Sequence, residues 1–217
     1  MDGEMLYNEI MKLNNDSPIF VFIHNLVDFV VLNVLFLLLC LPIFTIGASL
    51  TALHSITLKE ARGEGPAMLR GFLSAFKANI RRATPMFLIY AAAGGILSFS
   101  AVFWFNVGGF GFVVAALMAV GFIALLLSFL YAFALLARFE NSAKATMLNG
   151  LYIAATNIGH TLALLAINVI IIAAIVFVDF GGVFFLLMGF AFSAYCKAFI
   201  FKAVFKKYGD DLDEGET

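Results

Sequence analysis

Charge, cysteine and histidine are all scarce in this 217-residue chain: 12% of its residues are Asp, Glu, Lys or Arg, with two cysteines and three histidines. Globular chains in water carry roughly 25% charged residues, and half that number cannot cover the surface of a domain this size. The protein must therefore use lipid as part of its solvent. Two cysteines exclude a disulfide-stapled secreted scaffold, and Cys40 and Cys196 are expected as packed thiols too far apart to bridge. Thirteen basic residues against fourteen acidic ones, net −1, exclude a nucleic-acid binder. No HExxH, CxxC, phosphate loop or nucleophile–base pair is present, and the glycine pairs and clusters at 94–95, 108–111 and 181–182 lack a nucleotide-binding context. No enzyme activity, cofactor or metal site is expected, His54 and His160 being isolated. What is abundant is apolar: 63% hydrophobic residues, 26 of them Phe, and a mean hydropathy of +1.03, which excludes a disordered chain.

Each hydrocarbon crossing needs about 20 apolar residues. The longest charge-free run, Ala83 to Ala137, is 55 residues long, too much for one helix. Asn106, Gly108, Gly109 and Gly111 interrupt it, so the pattern predicts a hairpin of helices at about 83–105 and 110–137. One more crossing is expected at about 160–178, a turn at Asp179, Gly181 and Gly182, and a last helix at about 183–204. Near the start, Ile19 to Leu41 is a good span ended by Pro42. Residues 43–58 are short and rich in Thr, Ser and Ala. They are read either as an interfacial segment, giving five crossings, or as the second half of a hairpin, giving six. Twelve of the 13 basic residues fall in the loops 59–82 and 138–144 or at 197–207, which cytoplasmic retention of positive charge places inside in both arrangements. Only the six-crossing arrangement also puts Lys12 inside, and it is preferred.

The expected fold is therefore all-α: a polytopic integral membrane helical bundle of six, alternatively five, transmembrane helices in hairpins with cytoplasmic amphipathic helices. It is read as a single domain over 1–217, with an amphipathic arm at 1–18, the bundle at 19–205 and an acidic tail at 206–217. Residues 1–18 lack the basic start and cleavage site of a secretory signal, so the first hydrophobic segment is expected to stay. The C-terminus is expected on the cytoplasmic side.

Over 67–82, Met68, Phe72, Phe76 and Ile80 recur every four residues, with Arg70, Ser74, Lys77 and Arg81 opposite. This is an amphipathic helix with a basic face, suited to a membrane surface or an acidic partner. Gly150 to Ile158 echoes Gly71 to Ile80, both ending Asn-Ile before a membrane helix. Residues 5–14, with Leu6, Ile10 and Leu13 on one face, read as a third copy of a surface-helix-plus-hairpin unit. Gly94 and Ser98, four residues apart, read as a close helix contact.

The intramembrane polar candidates are His24, Asn25, Asp28 and Asn33. A carboxylate in mid-helix costs several kcal/mol unless paired, protonated or hydrated, and His24 lies one turn before Asp28 on the same face, with Asn25 at i−3. The group could bind a proton, a cation or a sugar hydroxyl, or simply join helices by hydrogen bonds. Asn33, on nearly the opposite side, is expected to serve packing. Lys197 is the only basic residue within the core of any span, so Asp28 is expected to bond neutral groups or water rather than a cation.

Asp28, Leu32-Asn33, Leu41-Pro42, Thr45-Ile46-Gly47-Ala48, Ala52-Leu53 and then Phe72-x-x-x-Phe76-Lys77-x-Asn79-x-x-x-x-Thr84 form a pattern that resembles the YesL-like family of bacterial membrane proteins. Gly71 stands where that family usually has an acidic residue. The resemblance implies a bacterial cytoplasmic membrane and a sugar-uptake context but no reaction, because the family has no established activity. Three readings follow: an accessory or scaffold subunit of a carbohydrate ABC importer, a small stand-alone transporter or channel, or a membrane sensor or assembly factor. Expected partners are the lipid bilayer and, in the first reading, importer permease or ATPase subunits, the Phe-rich bundle packing against permease helices. The candidate residues of the cytoplasmic surface or partner helix are Arg70, Phe72, Phe76, Lys77, Asn79 and Arg81, with Arg70, Lys77 and Arg81 expected to face lipid headgroups or an acidic partner and Phe72 and Phe76 expected to be buried. A homo-oligomer is also compatible. The permease signature Glu-Ala-Ala-x-x-x-Gly is only begun, at Glu60-Ala61-Arg62-Gly63, which favours an accessory subunit over a permease.

Overall fold

A computed structural model describes residues 18–179 and 181–209, with side chains from Leu26 onward. All regular structure among these residues is helical. The arm at 1–18, including Leu6, Ile10 and Leu13, and the acidic tail from Asp210 lie outside the described residues, apart from the backbone of Pro18.

Helix α1 (Pro18–Cys40) is the first apolar segment. Pro42 has no N–H to continue it, and Thr45 closes the corner by donating its hydroxyl to the Pro42 carbonyl at 2.6 Å and to that of Leu39. A short 3-10 turn (Ile43–Thr45) leads into α2 (Ile46–Arg62). Helix α3 (Met68–Val107) is a single 40-residue helix, α4 spans Gly111–Arg138, and α5 spans Ala143–Thr156. The chain breaks at Asn157 before α6 (Ile158–Phe177) and returns as α7 (Gly181–Tyr208), which contains one π turn (Phe185–Gly189). Four of these, α3, α4, α6 and α7, are long and apolar enough to cross a membrane.

The least apolar helix sits at the centre. Helix α2 supplies Leu58 to one core cluster, Ala52, Leu53 and Ile56 to a second, and Ala48 to a third. The first joins it to α4, α5, α6 and α7, the second to α1, α3 and α7, and the third to α3 and α4. Its buried hydroxyls are satisfied within the helix: Ser49 donates to Thr45 O at 3.1 Å, Thr51 to Gly47 O at 2.9 Å and Thr57 to Leu53 O at 2.9 Å. Bonding to the carbonyl four residues back removes the need for a partner elsewhere. Close approach to α3 depends on Gly47, where a Cβ would stand 2.5 Å from the Ala83 carbonyl oxygen and 2.7 Å from the Phe87 Cβ.

Helix α1 and α2 form a hairpin. Along α7, the ring of Phe29 meets Phe192 and Tyr195 while Asn33 bonds near Phe185, so α1 runs against α7. His54 meets Phe201, and Ala61 O accepts from Lys202 Nζ at 3.3 Å, so α2 runs along it. Lys59, Arg62, Lys202 and Lys207 thereby share one end of the bundle with the α5–α6 corner, where Lys207 Nζ reaches Asn157 Oδ1 at 3.2 Å. At the opposite end, positive φ at Gly108 and Gly109, conformations that side chains disfavour, turns α3 into α4.

Two expectations are revised. The amphipathic segment 67–82 and the span beginning at 83 are one helix, about 60 Å long at 1.5 Å per residue, which is twice the ~30 Å hydrocarbon thickness. Arg81 and Arg82 are exposed on its outer side while Ala83, Met86 and Tyr90 continue the buried stripe, so the charges do not interrupt packing. The close helix contact expected of Gly94 and Ser98 is met only at Gly94, where a Cβ would reach Leu125 and Phe122 of α4 at 3.6 and 3.7 Å, an ordinary van der Waals approach, whereas Ser98 is exposed and donates back to Gly94 O at 2.8 Å. The proposed repeat is matched only in part. Asn79 and Asn157 each donate to the carbonyl four residues back, at 2.9 and 3.1 Å, but only Asn157 ends its helix.

Gly47→Ala should lower thermal stability in detergent by ~1–3 kcal/mol through overpacking. Gly95→Ala, which meets nothing within 4 Å, should be neutral or stabilising. Equal melting curves for the two variants would contradict the α2–α3 contact.

Candidate functional site

In the bilayer interior, buried polar side chains must find partners within the protein. Many bond within their own helix, and a smaller set joins one helix to another. Tyr90 of α3 and Ser128 of α4 share a hydrogen bond of 2.6 Å, and Ser128 donates onward to Met147 O of α5 at 2.6 Å. Tyr131 of α4 and Thr161 of α6 are 3.0 Å apart, and Thr161 donates to Ala154 O of α5 at 2.9 Å.

Asn33, fully buried on α1, is the most elaborate joint. Its Nδ2 donates to the carbonyls of Phe185 and Leu186 at 3.0 and 2.8 Å, and the Ala191 N–H donates to its Oδ1 at 3.0 Å. A π turn disturbs the regular ladder of a helix, and here one amide side chain binds three backbone groups on or beside it. The packing role expected for Asn33 is thus a hydrogen-bonded lock on α7. Asp28, half-buried, lies on α1 next to Phe29. The side chains of His24 and Asn25 lie outside the described residues, and Asp28 is not part of the cavity described next.

That cavity, of about 250 Å³, lies between α2, α4, α6 and α7. Its polar groups are His54, Asn168, Ser193 and Lys197, and its walls include Phe36, Leu50, Phe129, Phe133, Leu164 and Phe201. Lys197 Nζ donates to Asn168 Oδ1 at 2.8 Å. Among the described residues that amide is its only hydrogen-bond acceptor, and no carboxylate lies within ion-pair distance. His54 stands edge-on to Phe201, with ring centroids 5.3 Å apart, and its buried Nδ1 has no hydrogen-bond partner. Asn168 is ten residues, about 15 Å, from the start of α6, near half the depth of the hydrocarbon. An ionisable residue at that depth is by default a functional candidate.

Sequence reasoning missed this group. His54 reads as isolated along its own helix, whereas its charged neighbour is a cation on another helix. Lys197 in the last span and Asn168 in mid-α6 were the available signals, but their meeting is tertiary.

The basic-end candidates divide along the length of α3. Phe72 is completely buried against α1, α2 and α7, Phe76, Ile80 and Asn79 are half-buried, and Arg70, Ser74, Lys77 and Arg81 are exposed. The apolar face is therefore covered by the bundle itself, and the basic face remains outside.

A family described as "Protein of unknown function, DUF624" matches residues 29–101, a third of the chain, from α1 into α3. No curated protein and no solved structure matches. The YesL-like resemblance is compatible with this match, and the matched family is itself uncharacterised.

Replacing Asn33 with Leu removes all three bonds to α7. A loss of ~1–2 kcal/mol in thermal stability is expected, at the upper end for interhelical bonds in membranes, while Val34→Leu on the exposed side should leave stability unchanged. Full stability of Asn33→Leu would show that the lock contributes nothing.

Proposed function

We propose that this chain is a membrane accessory or scaffold subunit associated with a carbohydrate ABC importer. The observation that carries the scaffold reading is the basic face of α3. Arg70, Lys77 and Arg81 project from a helix whose opposite side is stapled to α2 through Phe72 and whose continuation is a membrane span. Such a face is held in one orientation, as a docking surface must be, and presents its charge to lipid headgroups or an acidic partner surface. The sugar-importer context is what the family resemblance implies, with permease or ATPase subunits as the partner class. Six crossings in a bacterial cytoplasmic membrane, with both termini cytoplasmic, fit the α1–α2 hairpin together with the positive charge gathered at one end.

A second reading, a small stand-alone transporter or channel, draws on one observation: the polar cavity at His54 and Lys197 near mid-depth. A membrane sensor or assembly factor would need neither an importer partner nor a transported substrate.

Purification of the tagged chain in gentle detergent should recover importer subunits. Changing Arg70, Lys77 and Arg81 together to Gln should lower that recovery by about tenfold or more, at roughly 1 kcal/mol per basic residue near an anionic surface, without changing the melting temperature. Phe72→Ser should destabilise the bundle by about 3 kcal/mol. A homo-oligomer free of importer subunits would overturn the importer association, and unchanged recovery by the triple variant would overturn the role of the basic face.

A further inference from the structure

We propose that the cavity between α2, α4, α6 and α7 binds the carboxylate of an aliphatic acid drawn from the bilayer. The head site is defined by two groups with unused capacity. An ammonium carries three donors, and among the described residues Lys197 places one, on Asn168. The buried Nδ1 of His54 has no partner and, carrying its proton, would donate to the same anion. A cation at this depth, walled by Phe and Leu side chains, calls for a counter-charge, and no carboxylate lines the cavity.

The tail site adjoins it. A groove of about 440 Å³ between α6 and α7 shares Ile171 and Ser193 with the cavity and is otherwise almost wholly apolar. It runs past Ala174 and Phe184 toward Val178 and Gly181, at the end of the bundle away from the basic residues. Ile170 on its rim is 66% exposed on the side where lipid lies. A chain entering from that leaflet would place its methylenes along the groove and its carboxylate on Lys197 and His54. A small water-soluble carboxylate would satisfy the head site but leave the groove unused, so the two sources can be separated by experiment.

The full chain in phosphatidylcholine nanodiscs is titrated with cis-parinaric acid, a fluorescent fatty acid, with empty nanodiscs as the blank. Saturable binding is expected, displaced by palmitate but not by methyl palmitate or by acetate at equal concentration. Asn168→Asp supplies Lys197 with an internal carboxylate and should weaken palmitate displacement by about tenfold or more, the scale of a hydrogen bond to a charged group. The same variant should melt at or above the temperature of the parent, and Lys197→Arg, which keeps the charge, should retain binding. Displacement by the ester as effective as by the acid would overturn the carboxylate site. Acetate as effective as palmitate would overturn the bilayer source, and unaltered binding by a folded Asn168→Asp would overturn the assignment to this cavity.

Discussion

Hydrocarbon offers no hydrogen bonds, and that constraint decides where each element of this protein goes. Helix α2 carries Ser49, Thr51, His54, Ser55 and Thr57 on a 17-residue helix, too polar to face lipid and too short to span comfortably. The fold wraps it. Three core clusters meet on its different sides, its hydroxyls turn back onto its own carbonyls, and Lys202 of α7 donates to the Ala61 carbonyl near its end. The long apolar helices keep most of their surface for lipid: Ile96, Phe99 and Val102 on α3, Leu117 and Val120 on α4, and Val169 and Val176 on α6 are each more than half exposed.

The same constraint explains how the helices are joined. Where α7 departs from regular α geometry at the π turn, Asn33 provides the bonds from a neighbouring helix. Where α4 meets α5 and α6, Ser128, Tyr131 and Thr161 pass hydrogen bonds from side chain to side chain and on to the backbone. His54 and Lys197 differ in that they face a cavity together with bonding capacity left over, whereas the other buried side-chain atoms without a partner among the described residues, Thr84 Oγ1 and Arg62 Nη1, do not line it. Two polar groups with spare bonding capacity converging on one cavity mark it as a place for something outside the chain.

Much of the helix order was legible in the sequence, because glycine turns and charge-free runs are local signals. The spans expected at 19–41, 110–137, 160–178 and 183–204 correspond to α1, α4, α6 and α7 to within about four residues. The outward basic face and inward Phe72 of 67–82 were likewise readable from a four-residue period. The union of that segment with the next span was not. Arg81, Arg82 and Pro85 suggest a boundary when read along the chain, and only the packing of Ala83, Met86 and Tyr90 on α2 and α4 shows the buried stripe running through. The cavity was the least legible feature, since His54, Asn168 and Lys197 lie on three helices and no spacing rule joins them. Asn33 is assigned to packing from its position on the helix, but its hydrogen-bonded partners in α7 depend on a π turn that has no sequence signature.

The central claim is that α2 is an enclosed part of the membrane bundle and not a segment lying at its surface. Hydrogen–deuterium exchange of the full chain in nanodiscs, read by mass spectrometry over residues 46–58, tests this most directly. Enclosure by α1, α3, α4 and α7 predicts that these amides exchange as slowly as those of 128–136 in α4, which share its core. Exchange over 46–58 as fast as that of the exposed loop at 63–67 would place α2 in contact with water and contradict the account.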